Sequence, residues 1–204
     1  MIIQWNGHSC FTLETAQGTV VLDPYAPGSV PGLSLPKLRA DAVLCSHGHA
    51  DHGYVQGVEL SGRPCAVEIR VLPCFHDEVQ GAKRGQNKIH ILSAEGMRIA
   101  HLGDLGHDPD PEQLDQLRGA DVLMIPVGGF YTIDARQAHR IATELCPRIV
   151  LPMHYRGDDF GYEVLSPVGD FLALTQGPVE RYPGSSLEVT KDTPAQTAVL
   201  ACPR

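Results

Sequence analysis

The sequence has no Cys-x-x-Cys pair, no strongly basic segment and no long hydrophobic run, and each absence removes a class of function. The six cysteines (Cys10, Cys45, Cys65, Cys74, Cys146 and Cys202) are scattered through 204 residues, a chain far larger than a disulfide-stapled miniprotein, and read as reduced thiols. Lys and Arg number 16 against 24 Asp and Glu. The resulting formal charge of −8 repels nucleic-acid phosphates and anionic lipid, so no nucleic-acid and no membrane partner is expected. The longest apolar stretch, Val122 to Val127, is broken by Pro126 and is far short of the roughly 20 residues needed to cross a bilayer. The opening MIIQWNGHSCF has neither a basic region nor a continuous apolar one, so the expected location is cytoplasmic.

What remains is a chain with 43% hydrophobic residues, 21 Gly and 16 Pro, enough to bury the core of one domain spanning 1–204 while carrying many loops. Strand-like runs at Ile2–Trp5, Cys10–Glu14 and Thr19–Leu22, separated by turn signals, predict an antiparallel meander. Residues 26–36 hold too much Pro and Gly for regular structure. Beyond them, Asp41–Cys45, Arg70–Pro73, Arg98–Leu102, Asp121–Val127, Arg148–Met153, Leu187–Val189 and Thr197–Ala201 read as short buried strands. Helices are expected over Pro111–Arg118, over Asp134–Leu145 with Asp134 as N-cap, and over Pro167–Leu174 capped by Ser166. Alternating strands and helices behind a meander predict an α/β fold with a mixed sheet core.

The chemistry concentrates in Ser46-His47-Gly48-His49-Ala50-Asp51-His52, which places three imidazoles and a carboxylate within six residues. In an extended segment His47 and His49 share a side, and a turn beginning at Ala50 redirects Asp51 and His52 toward a second point. Such a segment can serve two divalent ions, and neutral imidazoles with carboxylates suit zinc first, with manganese or iron as alternatives. Four ligands do not fill two coordination spheres. The remaining candidates are His76, Asp104 and His154, each following a predicted strand and therefore placed in loops that line a sheet edge. His101, of opposite parity to Asp104, is expected in the core.

HGHADH, with His76, HLGDLGH around Asp104 and PMHY around His154, resembles the metallo-β-lactamase superfamily, whose signature is HxHxDH. The words Leu22-Asp23-Pro24, Ile125 to Gly129 and Tyr131 to Asp134 are similar to its branch of small metal-dependent hydrolases related to ascorbate-6-phosphate lactonases. The resemblance implies a four-layer αββα sandwich. It assigns His47, His49 and His76 to one ion and Asp51, His52 and His154 to the other, with Asp104 bridging. It also implies a hydrolase that attacks a small-molecule lactone, ester or phosphodiester with a hydroxide bridging two metal ions, oriented by Asp51. His107 is a candidate to protonate the leaving group.

A metal-holding sensor without turnover is the alternative reading. A diiron redox enzyme is disfavoured because His49 stands where such relatives typically carry Glu. Asp23 is expected to hydrogen-bond the loop bearing the HxHxDH ligands. Lys83 and Arg84 are candidates to meet an anionic group of the substrate, and Phe130-Tyr131 and Tyr155-Arg156 to wall its pocket. Asp77 or Glu78 could replace His76 as a ligand. The oligomeric state is not legible.

Overall fold

Apolar alternation in the first 22 residues produces three strands, β1 (Ile2–Gly7), β2 (Cys10–Thr15) and β3 (Gly18–Leu22), each antiparallel to the next. In the computed structural model, which describes residues 1–203, these are followed by β4 (Leu38–Ala40), β5 (Ala42–Leu44), a 3₁₀ turn at Val55–Gly57 and β6 (Val58–Leu60). Then come β7 (Glu68–Phe75), β8 (Gln86–Ala94), β9 (Met97–His101), α1 (Pro111–Leu117), β10 (Val122–Pro126), α2 (Ala135–Leu145), β11 (Ile149–Met153) and α3 (Val168–Leu172). Three short strands close the order: β12 (Val179–Arg181), β13 (Ser186–Glu188) and β14 (Gln196–Val199).

The strands form a five-stranded sheet, β13-β1-β2-β3-β5, a seven-stranded sheet, β12-β14-β11-β10-β9-β8-β7, and a separate β4-β6 pair. In the larger sheet β9, β10 and β11 are parallel neighbours joined by α1 and α2, the connection that parallel pairing requires. Between the sheets, Ile3, Trp5, Phe11, Leu13, Val20 and Leu22 join Leu72, Ile89, Ile91 and Ile99 in one buried cluster. The opposite side of β2 and β3, through Cys10 and Val21, packs on Tyr25, Val30, Leu33, Ala40 and Val58. On that side the packed residues come from the Pro-rich segment and the β4-β6 pair.

Local chemistry explains most boundaries. Asp110 and Asp134 cap α1 and α2, each in a reciprocal capping box with a Gln three residues on. Ser166 does not cap α3, contrary to expectation. Its N–H donates to Gly128 O and its carbonyl accepts from Arg156 N, which leaves Pro167 at the N-cap without a side-chain bond. The strand β8 is not recognisable from periodicity because Gln86, Asn87, Lys88 and His90 interrupt its apolar residues. Trp5 is buried with its ring 5.5 Å from Tyr155 and 5.8 Å from Phe160, and its Nε1–H donates to His8 O at 2.9 Å. This aromatic cluster holds the β1-β2 turn against the segment that follows β11. Among the described residues no helix is long and apolar enough to cross a membrane.

Candidate metal centre

Four strands deliver their C-terminal ends to one place. The loop after β5 carries His47, His49, Asp51 and His52; His76 follows β7, Asp104 follows β9, and His154 follows β11. The HGHADH segment turns where spacing predicts, with the His52 and Gly53 N–H groups both donating to His49 O. His47, His49 and His76 therefore form one group, and Asp51, His52 and His154 fall in a second.

Asp104 lies between the two groups. Its Oδ2 stands 3.1 Å from His52 Nε2, 3.2 Å from His76 Nε2, 3.2 Å from His154 Nε2 and 4.0 Å from His47 Nε2. The side chain is 2% exposed, and Asn87 of β8 fixes its backbone by accepting from Asp104 N at 3.0 Å while donating to Leu102 O. Gly103 is required here, because a Cβ at its φ of +55° would lie 2.4 Å from Ser46 Cβ. Gly128 serves His154 in the same way, since a Cβ would meet His154 O at 2.2 Å.

Asp23 performs the anchoring role expected of it. Its carboxylate accepts from Ser46 N at 2.7 Å, Ser46 Oγ at 2.6 Å and His52 Nδ1 at 2.8 Å, and Ser46 Oγ in turn meets His47 Nδ1 at 3.0 Å. One ligand of each group thus has its Nδ1 edge tied back to Asp23, which turns the Nε2 lone pair toward the centre. Burial opposes ionisation of Asp23, but the bond to His52 and the nearby imidazoles outweigh it and hold the carboxyl down at about 2. Asp104 is likewise kept well below the usual carboxylate range, with His154 and His52 overcoming burial. Burial disfavours a charged His52, yet Asp104 and Asp23 raise it well above an ordinary imidazole. Burial lowers His47 to about 3 and His8 to about 4, which leaves their lone pairs available at neutral pH.

The residues present fit a pair of divalent cations. Buried His52 Nε2, Asp104 Oδ1 and both ring nitrogens of His8 have no hydrogen-bond partner, an arrangement that is costly unless something else satisfies them. The separations of about 3 Å among imidazole and carboxylate atoms are those of ligands sharing an ion at about 2.1 Å.

Above this cluster is a cavity of about 260 Å³. The candidate ligands His49, Asp51, His76, Asp104 and His154 line it together with Arg84, Tyr131 and Tyr162. The Arg84 guanidinium carbon lies 5.6 Å from the centre of the Tyr131 ring, and its Nη2 donates to Phe130 O at 3.1 Å. A larger space of about 330 Å³ beside α2, α3 and β14 brings together no comparable group of imidazoles and carboxylates.

Several expectations need correction. His107 does not line the cavity. Its Nε2 accepts from Phe75 N at 3.2 Å and its Nδ1 pairs with Asp108 O at 2.8 Å, so both ring nitrogens are engaged with backbone away from the ligands. Lys83 points elsewhere and pairs with Glu78. Asp77 is not a ligand either, because its two oxygens accept from the N–H groups of Val79, Gly81, Lys83 and Arg84. Tyr155 belongs to the core and Phe130 is exposed, leaving Tyr131 as the aromatic of those pairs at the cavity. His101 is buried, with Nε2 facing Ser9 O.

Sequence reasoning missed two residues. His8 was legible only as part of a Gly-containing turn, and Tyr162 carried no signal at all. Tyr162 Oη lies 2.6 Å from Ser29 O and 3.1 Å from Asp51 Oδ2.

Residues 2–154 match the family profile described as the Beta-lactamase superfamily domain. A protein from Thermotoga maritima assigned to the Zn-dependent hydrolases of the metallo-β-lactamase superfamily is similar in structure. It has a TM-score of 0.78 and 35% identity over 98% of this chain and 97% of that one. A UPF0173 metal-dependent hydrolase from Archaeoglobus fulgidus is 26% identical over 76% of this chain and 83% of its own length. The metallo hydrolase Igni18 from Ignicoccus hospitalis shares the fold, with a TM-score of 0.64 at 21% identity over 93% of this chain and 99% of that one. The chain belongs to the metallo-β-lactamase superfamily and is one of its metal-dependent hydrolases.

Proposed function

We propose that the protein hydrolyses a small-molecule lactone, ester or phosphodiester at a pair of divalent cations, zinc in the first instance. The observation that carries this reading is the position of Asp104 Oδ2, within 3.2 Å of imidazoles from both groups and at the foot of a cavity. His47, His49 and His76 would hold one cation, Asp51, His52 and His154 the other, and Asp104 both. A pair of cations held there would supply water of lowered pKa at neutral pH and would polarise the oxygen of the scissile group.

The chain's own residues provide the rest. Asp51 lines the cavity and would position an attacking water through its carboxylate, which the imidazoles around it keep ionised against the effect of burial. Tyr162 is held protonated by burial and by Asp51, so its Oη presents a hydroxyl beside that carboxylate. With His107 turned away, Tyr162 supplies a hydroxyl of the cavity wall, its single proton aimed at Ser29 O or Asp51. Arg84 has no carboxylate partner among the described residues and gives the cavity a positive rim, which favours substrates that carry an anionic group.

Elemental analysis of protein purified without chelator, together with Asp104→Ala and His49→Ala, tests this reading. Close to two zinc or manganese ions per chain, fewer in the variants, and chelator-sensitive turnover in a panel of lactones, esters and phosphodiesters are expected. Two ions without turnover of any of these would favour the sensor. Turnover that survives complete metal removal would overturn the mechanism.

A further inference from the structure

His8 lies in the turn between β1 and β2, far in sequence from every motif discussed above, and its side chain is 1% exposed. It enters the second group, its ligating atom lying within 4.8 Å of those of Asp51, His52 and His154. We propose that His8 is a further protein ligand of the cation held by Asp51, His52 and His154, so that the two metal sites are unequal: beside Asp104, the second site draws on His8, Asp51, His52 and His154 and the first only on His47, His49 and His76. This inference rests on the dinuclear reading above.

The geometry separates a ligand from a hydrogen-bonding neighbour. His8 Nε2 stands 3.4 Å from Asp51 Oδ2. Five ligands at about 2.1 Å around one ion stand roughly 3.0–3.6 Å apart, whereas a charge-assisted hydrogen bond closes to about 2.8 Å. Both distances occur here, because His52 reaches Asp23 at 2.8 Å through Nδ1 and stands 3.7 Å from Asp51 through Nε2. His8 belongs with the second kind. Neither of its ring nitrogens finds a hydrogen-bond partner, which is a heavy cost for a buried imidazole unless an ion repays it.

The backbone supports the placement. His8 and His154 adopt left-handed conformations, φ +54° and +53°, which are unfavourable for residues other than Gly. The two are joined, His154 N donating to His8 O at 3.3 Å, and their rings lie 4.1 Å apart. Like His52, His8 lies behind the residues that line the cavity Asp51 and His154 share. The inequality between sites is visible in burial as well. In the first group His49 is exposed, His47 half-buried and His76 buried, whereas in the second only Asp51 is half-buried and His8, His52 and His154 are buried.

Cobalt(II) titration of metal-free wild type and His8→Phe, which keeps a ring against His154, tests the proposal. Wild type should bind two cobalt ions. The variant should retain one with unchanged affinity, bind the other at least about tenfold more weakly, and show an altered visible spectrum. Histidine ¹H–¹⁵N spectra of wild type give a second readout that needs no folded variant. On zinc addition one His8 ring nitrogen should move to a metal-bound shift and stop titrating. Wild type that binds one ion overturns the dinuclear reading and this inference with it. Two ions in wild type, with an unchanged cobalt spectrum in His8→Phe or a His8 ring that still titrates beside bound zinc, overturn the His8 assignment alone.

Discussion

Replacing Asp23 by Asn changes the protonation pattern of the ligands while leaving their positions in place. The carboxylate accepts three hydrogen bonds at 2.6–2.8 Å, from Ser46 N, Ser46 Oγ and His52 Nδ1, and is fully buried. An amide can keep the bond from Ser46 N through its oxygen, but its NH₂ then faces His52 Nδ1 and donates to it. His52 would be forced to carry its proton on Nε2, the atom that faces Asp104 at 3.1 Å and that a cation needs as a lone pair. Loss of such an outer partner costs about 10–100-fold in metal affinity, or about 1.4–2.8 kcal/mol. The weakening should be greatest at the site served by His52 and smaller at the one served by His47, which reaches Asp23 only through Ser46. Loss of the charge-assisted bonds from Ser46 Oγ and His52 to the buried carboxylate adds about 1.5–3 kcal/mol of lost stability to the metal-free protein. Zinc titration against a chromophoric chelator, paired with thermal melting of the metal-free form, measures both effects. A folded Asp23→Asn protein that binds both ions with wild-type affinity would refute the reasoning.

Two further outcomes follow from the electrostatics. In the metal-free protein Asp104 and Asp23 raise His52 well above an ordinary imidazole, so at neutral pH it carries a proton that a cation must displace. Metal affinity should therefore rise by about tenfold per pH unit below that raised pKa, with at least one proton released per chain. Calorimetry in buffers of different ionisation enthalpy reads the release, and buffer-independent heats would contradict it. Asp77 gathers four backbone N–H donors, which outweigh its burial and depress its carboxyl to about 2. A depressed folded-state pKa stabilises the 79–84 loop above the unfolded carboxylate value of about 3.9, and this stabilisation disappears as pH falls through about 2. Asp77→Ala should lose hydrogen-exchange protection at Val79, Gly81, Lys83 and Arg84 already at pH 7. Protection factors equal to wild type at those amides would show that the carboxylate does not hold the loop.

The HGHADH segment made the two metal groups legible because ligation by neighbours in sequence depends on local geometry, alternation followed by a turn, which a short window contains. His76, Asp104 and His154 were legible for a related reason, each standing one to three residues past a strand recognisable by its apolar run. Asp23 was readable from its position before Pro24. Strands such as β4, β6, β8 and β12 escaped because they are short or carry polar residues, and pairing with neighbours rather than intrinsic pattern makes them strands.

The same distinction sorts the site. The sequence by itself determined the superfamily, its metal-dependent hydrolase class and most of the His and Asp residues that the fold gathers, since these reside in residue types at fixed short spacings. Tertiary structure alone decided that His8 and Tyr162 belong to the centre, that His107 does not, and that Arg84 rather than Lys83 borders the cavity. Those outcomes depend on which loops the two sheets bring together and on where each side chain finds its partner. Both are set by long-range packing, to which local periodicity is blind.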